Sequence, residues 1–265
     1  MPSCSLPPQA GRCVNQTEGG IDMRKFRISD FLFFGSGTQI FATEGADRRM
    51  GIGCCKRFIR LLLIGFAGFS GLAGAADLIP LPPAQTTGGM PLMQALQARH
   101  SSRDFSPRPL PAQLLSDLLW AAQGVNRPQT GKRTSPSARD WREIDIYVTR
   151  VDGVFIYEPN THALRKVLDR DVRALTGRQD FPAEAPVNLV YVADARRMPD
   201  ADPSQRAFYA AADTGFIAQN VYLFCASSGL AVVVRGALDK EALGVALDLG
   251  PQQWVTLAQT VGYPK

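Results

Sequence analysis

Arg99-His100-Ser101-Ser102-Arg103-Asp104-Phe105 sets two guanidinium groups, an imidazole and hydroxyls within a short run of chain. Leu92, Ala95 and Leu96 recur before it at helical spacing, which predicts a helix ending at Arg99-His100. Fixed cations beside a hydroxyl can neutralise a phosphate and donate several charge-assisted hydrogen bonds to it. The same composition also describes a solvated basic turn, so local chemistry leaves both readings open.

Working outward toward the C-terminus, Pro109 and Pro111 lead into a second predicted helix. Its stripe is Leu114, Leu115, Leu118, Leu119 and Ala122, and Gly124 stops it. Residues Asn126 to Arg142 have no period and read as an unusually long loop, a kind of segment that is functional or disordered in most compact domains. Ile144, Ile146 and Val148 alternate with polar residues and predict a strand, and Val151 to Glu158 predicts its hairpin partner across Asp152-Gly153. Leu164 to Leu175 reads as a helix, Val187 to Ala193 as a central strand, and Ala207 to Ser228 as a long helix ending at Gly229. The small residues of that helix, Ala210 to Ala218, suit the centre of the fold or a subunit interface. Ala231 to Arg235 reads as a strand, Asp239 caps a short helix through Leu247, and Trp254 to Tyr263 closes as a strand. Helices and mostly antiparallel strands without βαβ alternation make the fold class α+β.

Working outward toward the N-terminus, Leu78 to Gly89 is rich in Pro and Gly and reads as an extended tether. Before it, Cys55 to Arg60 is basic, Leu61 to Phe69 is apolar, and Ala73-Gly74-Ala75 carries small residues at the spacing of a signal-peptidase site. The expectation is a non-structural segment at 1–49, an export signal at 50–75, a tether at 76–89 and one domain at 90–265. That places the protein in the periplasm; a retained anchor is the alternative, although the apolar stretch is short and interrupted by glycines. Removing residues 1–75 leaves 20 Lys and Arg against 19 Asp and Glu, so no charge excess asks for nucleic acid or an anionic membrane. Only Cys225 of the cysteines remains, which excludes a disulfide within the mature chain. With two histidines, His100 and His162, and no paired cysteines, a metal cluster is not expected. Cys225 lies in an apolar helical stretch and reads as a buried thiol, with a Cys/His pair as the alternative.

Arg99 to Phe105 resembles the N-terminal flavin motif of the nitroreductase family. The segments that follow at similar spacing resemble that family in order: Leu114 to Gly124, the loop Gly131-Lys132-Arg133-Thr134-Ser135-Pro136-Ser137-Ala138, then Ala185 to Val190, Asp213 to Asn220 and Val261 to Pro264. The loop is similar to that of the SagB-type dehydrogenases within the family. The resemblance implies an FMN-dependent oxidoreductase, an intertwined homodimer with the cofactor in its interface. Arg99, His100 and Ser101 would hold the FMN phosphate and ribityl chain, and Arg103 the pyrimidine side of the ring. Pro136, Ser137 and Ala138 would approach from the second subunit, Gln179 would contact the ring edge, and Arg235-Gly236 would add a phosphate-side contact. Without the basic C-terminal extension of some relatives, phosphate binding is expected to lean on Arg99, Arg103 and Arg235.

Asp140 departs from the pattern, since many relatives have Asn four residues after the loop proline. A carboxylate facing the flavin would disfavour the reduced anion, so Asp140 either points away or alters the potential. The flavin carries the chemistry in such enzymes, so no side chain is assigned a catalytic role, and Tyr222 and the other aromatics are read as core or interface residues. The resemblance implies a small-molecule donor and an electron-poor acceptor such as a nitroaromatic or quinone. The alternatives are a dehydrogenase similar to the SagB type, acting on a small or peptide substrate, and a non-catalytic flavin- or ligand-binding protein.

Overall fold

The computed structural model describes residues 78–265, so the segments at 1–49 and 50–75 lie outside the described residues. The described chain runs β1 (Leu78–Pro80), α1 (Leu92–Ala98), α2 (Ala112–Gln123), β2 (Val125–Arg127), β3 (Lys132–Arg133), β4 (Ile144–Arg150), β5 (Gly153–Glu158), β6 (Ala163–Leu168), α3 (Phe181–Glu184), β7 (Val187–Asp194), α4 (Pro203–Ser227), β8 (Ala231–Arg235), α5 (Lys240–Ala246) and β9 (Gln253–Gly262). One antiparallel sheet has the order β1-β6-β5-β4-β7-β9-β8, and β2 and β3 form a separate hairpin. The α+β reading and the antiparallel sheet flanked by helices both hold.

Period-two alternation divides the sheet's side chains into two cores. Ile144, Ile146 and Val148 of β4 and Leu189 and Tyr191 of β7 pack under α2 and α4, while Tyr147, Val190 and Val192 join Leu238, Leu243 and Leu247 around α5. Helix α4 starts at a capping box, in which Asp202 accepts from the Gln205 N–H at 2.9 Å and the Gln205 side chain accepts from the Asp202 N–H. It ends where Gly229 takes φ +66, letting the Leu230 N–H return to the Cys225 carbonyl. Cys225 is fully buried and burial pushes its thiol pKa far up, as an inert core thiol requires.

Three expectations change. The predicted helix at Leu164 to Leu175 is instead strand β6 followed by a 3-10 turn at Arg173–Thr176. Leu164, Val167, Leu168 and Leu175 fit a helical period, but the turn at Pro159 to His162 folds the chain back on β5. Pairing to β5 and β1 then satisfies the backbone better than a local helix. The predicted structureless loop at 126–142 contains the β2–β3 hairpin, turned by Gly131 at φ +63, and a 3-10 turn at Ala138–Asp140. The segment at 78–85 is extended as read, yet docked rather than a plain spacer. Its prolines offer few N–H donors, so its carbonyls are served from the domain: Ser116 Oγ donates to the Pro82 carbonyl at 2.5 Å and Gln113 Nε2 to the Pro83 carbonyl at 2.9 Å. His162 Nε2 lies 2.7 Å from Ser116 Oγ, and its Nδ1 lies 2.9 Å from the Tyr157 hydroxyl.

Candidate functional site

Arg99 is the C-cap of α1, and the chain from there crosses the outer edge of the sheet at β8. The Ser102 N–H donates to the Val232 carbonyl at 2.9 Å, and Phe105 bridges to Pro264. Phe105 is buried at 2% exposure against Phe181, with ring centroids 5.4 Å apart. This anchor holds the preceding residues in place, so Arg99 to Arg103 form a fixed array rather than a floating basic turn. Ser101 Oγ shares a 2.8 Å hydrogen bond with the Tyr222 hydroxyl, which also accepts from the Val234 N–H at 2.9 Å. The Arg99 guanidinium lies 5.3 Å from the centroid of the same Tyr222 ring, at cation–π distance. His100 Nδ1 sits 2.9 Å from the Ala98 carbonyl, which leaves Nε2 toward solvent. Among the described residues no carboxylate pairs with Arg99 or Arg103. The cluster therefore presents cationic and hydroxyl donors on an exposed surface, with Tyr222 as its fixed base.

Pro136, Ser137 and Ala138 form a second group. The Ala138 N–H donates to Asp213 Oδ2 at 2.9 Å, and Ser137 Oγ accepts from the Arg142 N–H at 2.9 Å while donating to Glu143 Oε2 at 3.3 Å. Glu143 is fully buried; burial and the facing Asp213 carboxylate push its pKa up to about 7. Arg139, Asp140 and Arg142 all take left-handed backbone, with φ between +49 and +59, so the loop is strained and its side-chain anchors hold it there. Asp140 points to the loop's own cations: Arg142 donates to it in bidentate fashion at 2.8 and 2.9 Å, and Lys132 lies 3.5 Å away. Asp, like Asn, tolerates left-handed backbone, which accounts for this residue type at the position.

Within one chain the two groups are apart. Ser101 is tied to Tyr222 and the loop to Asp213, nine positions earlier on α4, a separation of roughly 13 Å along the helix axis. Gln179 lies exposed on the bend before α3, and Gly236 is exposed just past β8. The Arg235 side chain lies away from the Ser101 and Tyr222 group. Its neighbours in β8, Val232 and Val234, face Tyr222, so period-two alternation turns Arg235 to the opposite face of the sheet. There Arg235 is 7% exposed, donates to Thr260 Oγ1 at 2.7 Å and Asn188 Oδ1 at 3.2 Å, and leaves Nε and Nη1 without partners. Burial without a carboxylate lowers its pKa to about 10. Sequence reasoning missed Tyr222, Asp213 and Glu143 as organisers. Asp213 carried a signal, a carboxylate on the apolar face between Ala210 and Ile217, whereas Tyr222 looks like any core aromatic.

The family model described as the Nitroreductase family matches residues 96–263. A protein of Methanocaldococcus jannaschii assigned as a nitroreductase is 35% identical over 156 residues, which cover 55% of this chain and 78% of that protein. The crystal structure of a Ralstonia eutropha protein assigned as a nitroreductase superposes with a TM-score of 0.69 at 43% identity, covering 72% of this chain and 92% of that one. The NADPH:FMN oxidoreductase of Vibrio harveyi shares the fold, with a TM-score of 0.50 at 20% identity over 66% of this chain and 69% of its own. With an anchored donor cluster, a strained loop and these relatives, the chain belongs to the nitroreductase family and is an oxidoreductase.

Proposed function

We propose that this chain is an FMN-dependent oxidoreductase that passes two electrons from a small-molecule donor to an electron-poor acceptor such as a nitroaromatic or quinone. The observation that carries this reading is the Arg99 to Arg103 array, whose cations face no carboxylate among the described residues while Ser101 is oriented by Tyr222. Such a set of donors fits a phosphate: Arg99, His100 and Ser101 would hold it with the ribityl chain. Arg103 would sit at the pyrimidine side, where a cation stabilises charge on the reduced ring. When bound, FMN supplies two-electron hydride chemistry at N5. The protein's part is to bind, orient and tune. Asp140, drawn toward Arg142 and Lys132, keeps its negative charge compensated near the loop.

A homodimer belongs to the same proposal. Leu92, Met93 and Leu96 of α1 and Phe208 and Phe216 of α4 are exposed apolar side chains on two helices that pack together, a surface suited to a second copy. In such a dimer Pro136 to Ala138 would complete the partner's cofactor site, as the likeness to the family implies. The likeness of Gly131 to Ala138 to the SagB-type loop supports a second reading, in which the flavin is reduced by a small or peptide substrate and passes electrons onward. We also propose export through the leader at 50–75, which N-terminal sequencing of the protein from fractionated cells would test.

The cofactor reading is tested by purifying the full-length chain. A yellow protein bleached by donor and recoloured by nitroaromatic or quinone is expected, and Arg99→Ala with Arg103→Ala should leave a folded, colourless protein. A wild-type protein that takes up no FMN would refute the reading, and so would a double variant with normal flavin content.

A further inference from the structure

Beside the strained loop lies a cavity of about 230 Å3, lined by Arg127, Lys132, Arg133 and Arg142 together with Pro136 and Ser137. Among the residues that line it, one carboxylate, Asp140, faces these four cations, and it is engaged by Arg142 and Lys132. Arg127 spends its hydrogen bonds on Asn126 Oδ1 and the Arg133 carbonyl, with no acid in reach. Arg133 is the more unusual group: its Nε is buried without a hydrogen-bond partner, and burial first, then the charges of Arg142 and Arg197, push its pKa down, only partly offset by the Asp145 carboxylate that Arg197 already engages. A half-buried guanidinium among other cations is unfavourable unless an anion joins it. The volume equals roughly seven or eight water molecules at ~30 Å3 each, room for an anionic head group and a little of its carrier.

We propose that this cavity binds the oxyanion group, a carboxylate or a phosphate, of a small-molecule reactant, with Arg127 and Arg133 as its ligands. The inference rests on the proposed function for the word reactant, because that reading sets Pro136 and Ser137, which line the cavity, beside the cofactor. The cavity is distinct from the Arg99 cluster, being on the loop tied to Asp213 rather than at Tyr222. The preference it implies is for acceptors or donors carrying negative charge close to the reacting group, since the fork of an arginine binds such oxyanions bidentately.

Steady-state reduction of 4-nitrobenzoate and of nitrobenzene by the full-length enzyme tests this, with the variants Arg127→Gln and Arg133→Met alongside. The ratio of kcat/KM for the anionic to the neutral acceptor should fall about ten- to a hundredfold in each variant, at normal flavin content. An unchanged ratio at normal flavin content overturns the proposal. Loss of flavin with an unchanged ratio also overturns it, and assigns the cavity to the cofactor's phosphate instead. Calorimetric titration with 4-nitrobenzoate and with inorganic phosphate gives a readout that needs no turnover: binding by the wild type that weakens in both variants supports the site, and absence of binding refutes it. Should the wild type hold no flavin and reduce neither acceptor, the cofactor reading fails while calorimetry still decides this one.

Discussion

Replacing Glu143 by glutamine should stabilise the protein at alkaline pH and flatten its stability profile. Glu143 is fully buried, its Oε1 has no hydrogen-bond partner, and among the described residues no cation forms an ion pair with it; burial first, then the Asp213 carboxylate, raise its pKa from 4.5 to about 7. The folded chain thus keeps a proton that the unfolded chain releases. Unfolding free energy therefore falls as pH rises from the unfolded pKa to the folded one, and levels off above it. At about 1.4 kcal/mol per pKa unit the loss is on the order of 2 to 3 kcal/mol, since water access and proton sharing with Asp213 reduce the full figure. Glutamine carries no charge to bury: its carbonyl can accept from Ser137 Oγ and its amide offers a donor toward the Asp213 carboxylate. Urea midpoints of wild type and Glu143→Gln at pH 5 and pH 8 would measure this. The variant should gain about 2 to 3 kcal/mol over wild type at pH 8, or roughly 4 to 12 °C in Tm, and little at pH 5. Other titrating groups cancel in the comparison. A variant as pH-sensitive as wild type, or weaker at pH 8, would show that Glu143 is not the protonated member of this site.

Tyr222→Phe removes the hydroxyl that joins Ser101 to the Val234 N–H, so a loss of about 1 kcal/mol in stability and faster loss of flavin on dialysis are expected. Burial lowers the pKa of His162 below 6.5, so its contribution is present above that value and lost as pH falls; limited proteolysis should then cut the segment at 78–85 faster at pH 5 than at pH 7.5. Gly177→Ala would set a methyl group 2.2 Å from Nη1 of the buried Arg235 and 3.0 Å from Pro182 Cγ, and a thermal melt should show a loss of about 1 to 3 kcal/mol.

The elements that were legible in the sequence are those whose apolar period and punctuation agree. Helix α2 sits between Pro111 and Gly124, α4 stops before Gly229, and β4 and β5 meet at Asp152-Gly153, each where local chemistry asks for it. Strand β6 was not legible because Leu164 and Leu168, four apart, satisfy either period, and the choice is made by pairing to β5 and to the distant β1. The cluster at Arg99 to Arg103 stood out only through the family resemblance, since its residue types alone also fit a solvated turn, and what fixes it was not legible: Tyr222 lies far along the chain, and Phe105 finds its pocket against Phe181 and Val233 only once the sheet edge exists. Arg235 shows what a resemblance alone leaves out: the family likeness suggested a phosphate-side contact, and the alternation of β8 turns the side chain to the face of the sheet away from Tyr222.

Helix α4 anchors both of the groups proposed to serve the cofactor. Its first half holds the loop through Asp213, and its second half holds the Arg99 cluster through Tyr222. A rigid helix keeps those two anchors roughly 13 Å apart along its axis. In the proposed dimer a second copy would supply the loop. The apolar side chains that would meet that copy, Phe208 and Phe216, lie on this same helix at either side of Asp213. In the proposed dimer, the strained loop, the buried acids beneath it and the exposed aromatics beside it would hold the wall of the partner's site in shape before the partner arrives.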